Sequence, residues 1–277
     1  LRTPKGEIVG VVEVLNKRNR VFTKEDEEFL AEVGTHSALA VENVRLHEAA
    51  VAIARREGAA SVLKSAQQFL APNEWPETPG FESAPLRWRS EELNLVSYAI
   101  AAAGGRIAFL LIESSHSPET AFGTLVKAGN AGKAALGSGS AAEAVEHALA
   151  ADPGCWASAA VWEKERVELA AGGRRATVPY VLREGRPVPF PLAERKELKT
   201  AQCPTATGDL LVLVSTGLSA LQFPGKPVPP EKAVQHLARE AQGQPLAAAF
   251  ARIVSEWKRA GVAPGDRDVL LLAARRQ

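Results

Sequence analysis

Residues 208–221, GDLLVLVSTGLSAL, decide how this chain is read. A Gly-Asp turn launches five apolar residues, Leu210 to Val214, and the run breaks at Ser215, Thr216 and Gly217. A short apolar run bounded by turn residues reads as a strand buried on both faces. Metal-dependent enzymes often place a carboxylate where such a strand ends. Here the position holds Thr216.

Working outward, similar runs lie at residues 93–100, 107–112, 156–162, 178–182 and 269–273. Alanine-rich helical stretches fill residues 120–136 and 141–150, and two more helices are predicted over 230–239 and 245–260. Groups of strands separated by groups of helices favour an α+β fold with antiparallel sheets over βαβ winding. The Gly104-Gly105 and Gly172-Gly173 pairs sit between strands and read as hairpin turns.

The N-terminal part reads differently. Ile8, Val9, Val11, Val12, Val14 and Leu15 form a β-branched run expected to be a strand buried on both faces or nearly so. Thr23 and Asp26 have the spacing of a capping box, so a helix starts there. Phe29, Val33, Ser37, Ala40, Val44 and Val51 recur close to a heptad seam. No proline interrupts residues 23–70, so the segment is either one rod of about 70 Å, at ~1.5 Å per residue, or two helices kinked at Gly58. The stretch 71–83, APNEWPETPGFES, ends it with three prolines and opens a new domain.

Composition sets limits. With 277 residues and a formal net charge of +1, the chain can bury a large core and has no electrostatic bias toward nucleic acid. No apolar run reaches a membrane span, and residues 1–10 hold no secretory h-region. Cys155 and Cys203 are expected as buried or free thiols, which fits a reducing cytoplasm. Methionine is absent, which suits a fragment or a sequence from which modified methionines are missing. The aspartates are only Asp26, Asp152, Asp209, Asp266 and Asp268. His36, His47, His116, His147 and His236 lack metal-ligand spacing, no glycine pattern cradles a phosphate, and Ser115 and Ser215 carry no signature of an activated nucleophile.

Two resemblances follow from quoted segments. GVVEVLNKR with FTKEDEEFLAEVGTHSALAVENVRL resembles the C-terminal end of a GAF domain, a small-molecule-sensing fold. From about Val62 the chain resembles the SpoIIE-type branch of the PPM metal-dependent serine/threonine protein phosphatases. The carriers are SAQQFLAPNEWPETPGFE (65–82), RVELAAGGRRATVPYVLREG (166–185), GDLLVLVSTGLSAL and GDRDVLLLAARR (265–276). The resemblance implies a PPM-phosphatase-like α-β-β-α sandwich, two antiparallel sheets flanked by helices. It divides the chain into residues 1–46, the end of a GAF-like domain, 47–72, a helical linker suited to coiled-coil pairing, and 73–277, the phosphatase-like domain.

In that family, aspartates on strand ends clamp two Mg²⁺ or Mn²⁺ ions, and a bridging water attacks the phosphorus of a phosphoserine or phosphothreonine. The resemblance places Leu95 and Tyr98 at the two aspartates of a Gly-Gly-Asp-x-x-Asp pattern. Glu113 falls at the acid of Gly-Asp-x-Ser-Gly, with Ile112 at its glycine. Thr216 falls at the aspartate of a Thr-Asp-Gly triplet, and Gly265 at the first of two C-terminal aspartates. The expectation is a degenerate, inactive phosphatase domain with no catalytic residue and no cofactor. It would act as a regulatory or protein-binding module behind a GAF sensor, as a cytoplasmic homodimer joined through the linker. The alternative is an active Mn- or Mg-dependent phosphoserine/phosphothreonine phosphatase with a site rebuilt from Glu113, Asp266 and Asp268. A third reading makes Leu95, Tyr98 and Ile112 the lining of an apolar ligand cleft.

Overall fold

In a computed structural model of the protein, the described residues are 1, 8–16, 18, 21–35, 37–38, 40–41, 45, 70, 75–89, 95–116, 118–223, 226–227, 229–265 and 267–277. The chain separates into two units, Leu1–Ser61 and Val62–Gln277.

In the second unit the chain runs β1 (Phe81–Trp88), β2 (Val96–Ala103), β3 (Arg106–Ser114), α1 (Pro118–Ser138) and α2 (Ala141–Ala151). It continues through β4 (Cys155–Glu163), β5 (Arg166–Gly172), β6 (Tyr180–Arg183), β7 (Arg186–Pro187), β8 (Ala193–Arg195) and β9 (Leu198–Pro204). Next come β10 (Leu210–Val214), a 3-10 turn at Thr216–Ala220, and the short β11 (Gln222–Phe223) and β12 (Lys226–Pro227). Helices α3 (Pro230–Glu240) and α4 (Leu246–Arg259) precede the last strand, β13 (Val269–Arg276).

Two sheets result. One has the order β1-β13-β10-β6-β7 and the other β2-β3-β4-β5-β9-β8, with every pairing antiparallel. They stack through a core that includes Phe109, Trp162, Leu211, Leu213, Leu270 and Leu272. The outer face of the six-stranded sheet packs α1 and α2 through Leu110, Ile112, Leu125 and Val145. The outer face of the five-stranded sheet packs α3 and α4 through Val212, Leu237, Phe250, Ile253 and Trp257. This is an α-β-β-α sandwich, the expected architecture.

Burial on both faces explains the sequence pattern. In β3, Ile107, Phe109 and Leu111 face the other sheet while Ala108, Leu110 and Ile112 face the helices. A period-2 alternation therefore never shows as alternating polarity. Between β2 and β3, Gly104 and Gly105 have φ of 59° and 76°, the backbone that a tight two-residue hairpin requires. Arg106, at the start of β3, donates to the carbonyls of Leu136 at 3.0 Å and Gly137 at 2.9 Å. It thereby supplies a cation to the C-terminal end of α1, whose last turn has no basic residue of its own.

Three expectations need correction. Residues 9–16 form no strand, and Ile8, Val11 and Leu15 are exposed, Val11 by 88%. A strand needs a neighbour to pair its backbone along its length, and among the described residues of this run only Ile8 makes a bridge. The pair Gly172-Gly173 is not a hairpin: β5 ends at Gly172, and Gly173 turns the chain out of that sheet at φ 89°. The apolar runs do not mark strands β1, β5, β7, β8, β9, β11 and β12. Thr23 does cap a helix that begins at residue 24, with its amide and hydroxyl both donating to Asp26 Oδ2 at 2.8 and 2.9 Å. On that helix Gly34 and Ala38 are buried, whereas Phe29 and Val33 of the seam are exposed. Val44, Val51 and the linker, apart from Leu70, lie outside the described residues. Leu70 is helical and buried in the core beneath α1 and α2. Cys155 and Cys203 are both free and buried. Among the described residues, no helix is long and apolar enough to cross a membrane.

Candidate functional site

One end of the sandwich gathers the start of β2, the end of β3, the start of β4, the end of β10 and the start of β13. Register places Glu113 opposite both Val96 and Trp156. Its parity with Phe109 and Leu111 sends its side chain between the sheets, where it is 6% exposed. Across from it, β10 ends and Thr216 opens the 3-10 turn. The amide of a first helical residue lacks an internal partner, and Thr216 gives it to Glu113, at 3.2 Å from Oε1 and 3.0 Å from Oε2. The Thr216 hydroxyl donates to Oε1 at 2.7 Å, and the Trp156 indole N–H donates to Oε2 at 3.0 Å.

Burial pushes the Glu113 carboxyl up from its ordinary value. The Thr216 hydroxyl and amide, the Trp156 indole and the Arg267 guanidinium oppose that rise without cancelling it. A carboxyl with a raised folded-state pKa holds its proton more tightly folded than unfolded, so it adds stability at low pH. That increment disappears as pH climbs from its ordinary 4.5 through the folded-state value. The stability of the protein minus that of Glu113→Gln should therefore fall as pH rises above about 4.5, as denaturant melts would read it.

Strand end and strand start are locked together beside this carboxylate. Ser215 Oγ donates to the Asp268 carbonyl at 3.0 Å and accepts the Leu270 amide at 2.9 Å. A Cβ on Gly217 would overlap the same Asp268 carbonyl. The Asp268 carboxylate is buried and receives Arg87 Nη2 at 2.9 Å and Nε at 3.2 Å. Arg267 stands with its guanidinium 5.4 Å from the Trp156 ring centre and reaches the Thr216 hydroxyl at 3.4 Å. Arg175, on the loop leaving β5, lies 5.8 Å from the same ring.

The structure thus brings Glu113, Thr216 and Asp268 to one end of the sandwich. Tyr98 packs against the inter-sheet core, and burial raises its phenol pKa while nearby Arg87 lowers it. Leu95 and Ile112 do not join them. Both belong to the core under α1 and α2, on the opposite face of the six-stranded sheet. Leu95, Tyr98 and Ile112 therefore do not line one cleft. At Gly265 a Cβ would come 2.7 Å from the Ala220 carbonyl oxygen, so the glycine fits a close backbone approach. Asp266 lies outside the described residues. Sequence reasoning missed Trp156, Arg87, Arg175 and Arg267, whose roles depend on strand register and loop paths. Among the described residues, no three His, Cys, Asp or Glu side chains converge as a metal-binding group.

The order of the strands in the two sheets, with helix pairs outside both, decides the comparison. The fold is that of the PP2C-type phosphatases. The PP2C domain of SiaA from Pseudomonas aeruginosa superposes with a TM-score of 0.64 at 15% identity, covering 82% of this chain and 99% of that one. The RsbU and RsbW domains of Rv1364c from Mycobacterium tuberculosis give 0.58 at 17%, covering 73% and 61%. The PP2C domain of SpoIIE from Bacillus subtilis, with a fragment of its regulatory domain, gives 0.53 at 13%, covering 72% and 64%. This chain thus spans about three fifths of the Rv1364c and SpoIIE structures. No protein-family model matches the sequence, and no curated protein is significantly similar to it. At these identities the likeness of the PP2C-type domains is one of fold.

Proposed function

We propose that this chain carries a PP2C-type fold without two-cation chemistry and works as a regulatory, protein-binding module of a signalling protein. The observation that supports this most is the state of Glu113. Its carboxylate already accepts from three donors, the Thr216 amide, the Thr216 hydroxyl and the Trp156 indole. To ligate a cation it would have to surrender charge-assisted bonds worth about 1.5–3 kcal/mol each. A second carboxylate, Asp268, is neutralised by the Arg87 guanidinium. The hydroxyl of Thr216 brings no charge, and hard divalent cations require several charged or strongly polar oxygens. Among the described residues, those at this end of the fold do not fit a pair of bound Mg²⁺ or Mn²⁺ ions.

The module sits behind a GAF-like segment and acts by conformation. A change at the sensor alters the linker of residues 47–72, paired across a homodimer, and the phosphatase-like domain shifts between presenting and hiding a surface. The Rv1364c structure, in which an RsbU domain shares a polypeptide with an RsbW domain, supports a setting of protein partners.

The test is hydrolysis of a phosphoserine peptide by the full chain in Mn²⁺. Phosphate release should stay at the level of the buffer blank. Release that is abolished by a chelator and by Glu113→Ala would instead establish the alternative of an active phosphatase with a rebuilt site.

A further inference from the structure

The end of the sandwich that holds Glu113 also carries two arginines, of which Arg267 acts on the Glu113 charge from a distance. Arg175 is exposed and Arg267 half-buried, and both guanidinium groups lie over the ring of Trp156. Among the described residues, neither makes an ion pair with a carboxylate. Among the described residues, the hydrogen-bond acceptor of Arg267 is the neutral Thr216 hydroxyl at 3.4 Å. The indole is itself fixed, 5% exposed and tied through its N–H to Glu113. Stacking on a buried ring holds a guanidinium in place while leaving its N–H edge unspent. The carboxylates nearby are occupied, Asp268 by Arg87 and Glu113 by Thr216 and Trp156.

We propose that Arg175 and Arg267, stacked on Trp156, form an oxyanion-binding site that engages a carboxylate or phosphate group of a partner polypeptide without transforming it. A planar guanidinium fork matches either group in two parallel hydrogen bonds. The inference rests on the reading that this end of the fold holds no cation pair, and it names the chemistry of the partner that the module recognises. Bond formation is non-covalent throughout.

The experiment measures binding of two labelled peptides to the full chain by fluorescence anisotropy at low ionic strength. One peptide carries phosphoserine and the other glutamate at the same position, with inorganic phosphate as competitor. Binding should weaken at least tenfold in Arg175→Ala/Arg267→Ala and also on raising the salt. Arg174→Ala removes the same charge next door, from an exposed arginine for which no ring contact is seen, and should change affinity less than twofold. Preference for one peptide assigns the source of the oxyanion, phosphate or carboxylate, and either preference supports the site. Failure of both peptides to bind, or equal losses in Arg174→Ala and Arg175→Ala, overturns it. Tryptophan fluorescence melts of each variant show that folding is retained. Adding Mn²⁺ separates the two readings: release of phosphate from the phosphoserine peptide overturns the proposed function, whereas absent binding with no release overturns the oxyanion site alone.

Discussion

Replacing Gly217 by alanine should lower the stability of the second unit by roughly 3 kcal/mol or more, the upper end of the range for overpacking a close-packed site. The reason is backbone against backbone. A Cβ there would fall inside the Asp268 carbonyl, 2.6 Å from its carbon, and 3.1 Å from the Arg267 oxygen. Neither atom belongs to a flexible side chain that could turn away. To make room, the start of β13 must separate from the end of β10, which breaks the Ser215 hydroxyl bonds to Asp268 and Leu270. All five tryptophans lie at position 75 or beyond, so their fluorescence reports this unit by itself. For a domain of this size the loss corresponds to a drop in Tm of about 6–12 °C. An unchanged melt would mean that the two strand ends are not held together as described.

Glu113→Ala is the second large effect, at roughly 2–4 kcal/mol of destabilisation. The side chain it removes is the acceptor for the Thr216 amide and the Trp156 indole, and neither donor has another acceptor among the bonds described. Each buried donor left unpaired costs about 1–3 kcal/mol. Relief of the desolvated carboxylate offsets part of this, which keeps the total below the sum. Thr216→Val deletes the hydroxyl's bond to Glu113 and its longer 3.4 Å contact with Arg267 but keeps the amide bond, and should cost less. The two changes should also be non-additive, because once Glu113 is gone valine at 216 removes only the 3.4 Å contact with Arg267. A fully additive double variant, measured by denaturant melts, would contradict a direct Glu113–Thr216 interaction.

The sandwich was legible because most of its elements announce themselves locally. Leu210 to Val214 is apolar throughout and appears as β10 with those bounds, and the alanine-rich stretches appear as α1 and α2. Strand β1 was not legible. Pro85 and Arg87 interrupt it, and both are tolerated because β1 is an edge strand whose end meets Asp268. The N-terminal apolar run failed in the opposite way: β-branched residues favour a strand, but a strand forms only where another chain segment pairs with it. At the candidate site, Glu113 and Thr216 stood out as residue types in unusual places. What they do could not be read, because the Glu113–Trp156 pairing exists only through the β3–β4 register. Leu95 and Ile112 illustrate the same limit, since parity along the strand sends them toward α1 and α2, away from the carboxylates.

The central claim, a PP2C-type fold without a divalent-cation centre, is tested most directly by titrating Mn²⁺ into the full chain in a calorimeter. The account predicts no saturable heat up to millimolar Mn²⁺, because Glu113 and Asp268 are already satisfied by Thr216, Trp156 and Arg87. Saturable binding in the micromolar range, lost in Glu113→Ala or Asp268→Asn variants that remain folded, would contradict it and restore the phosphatase reading.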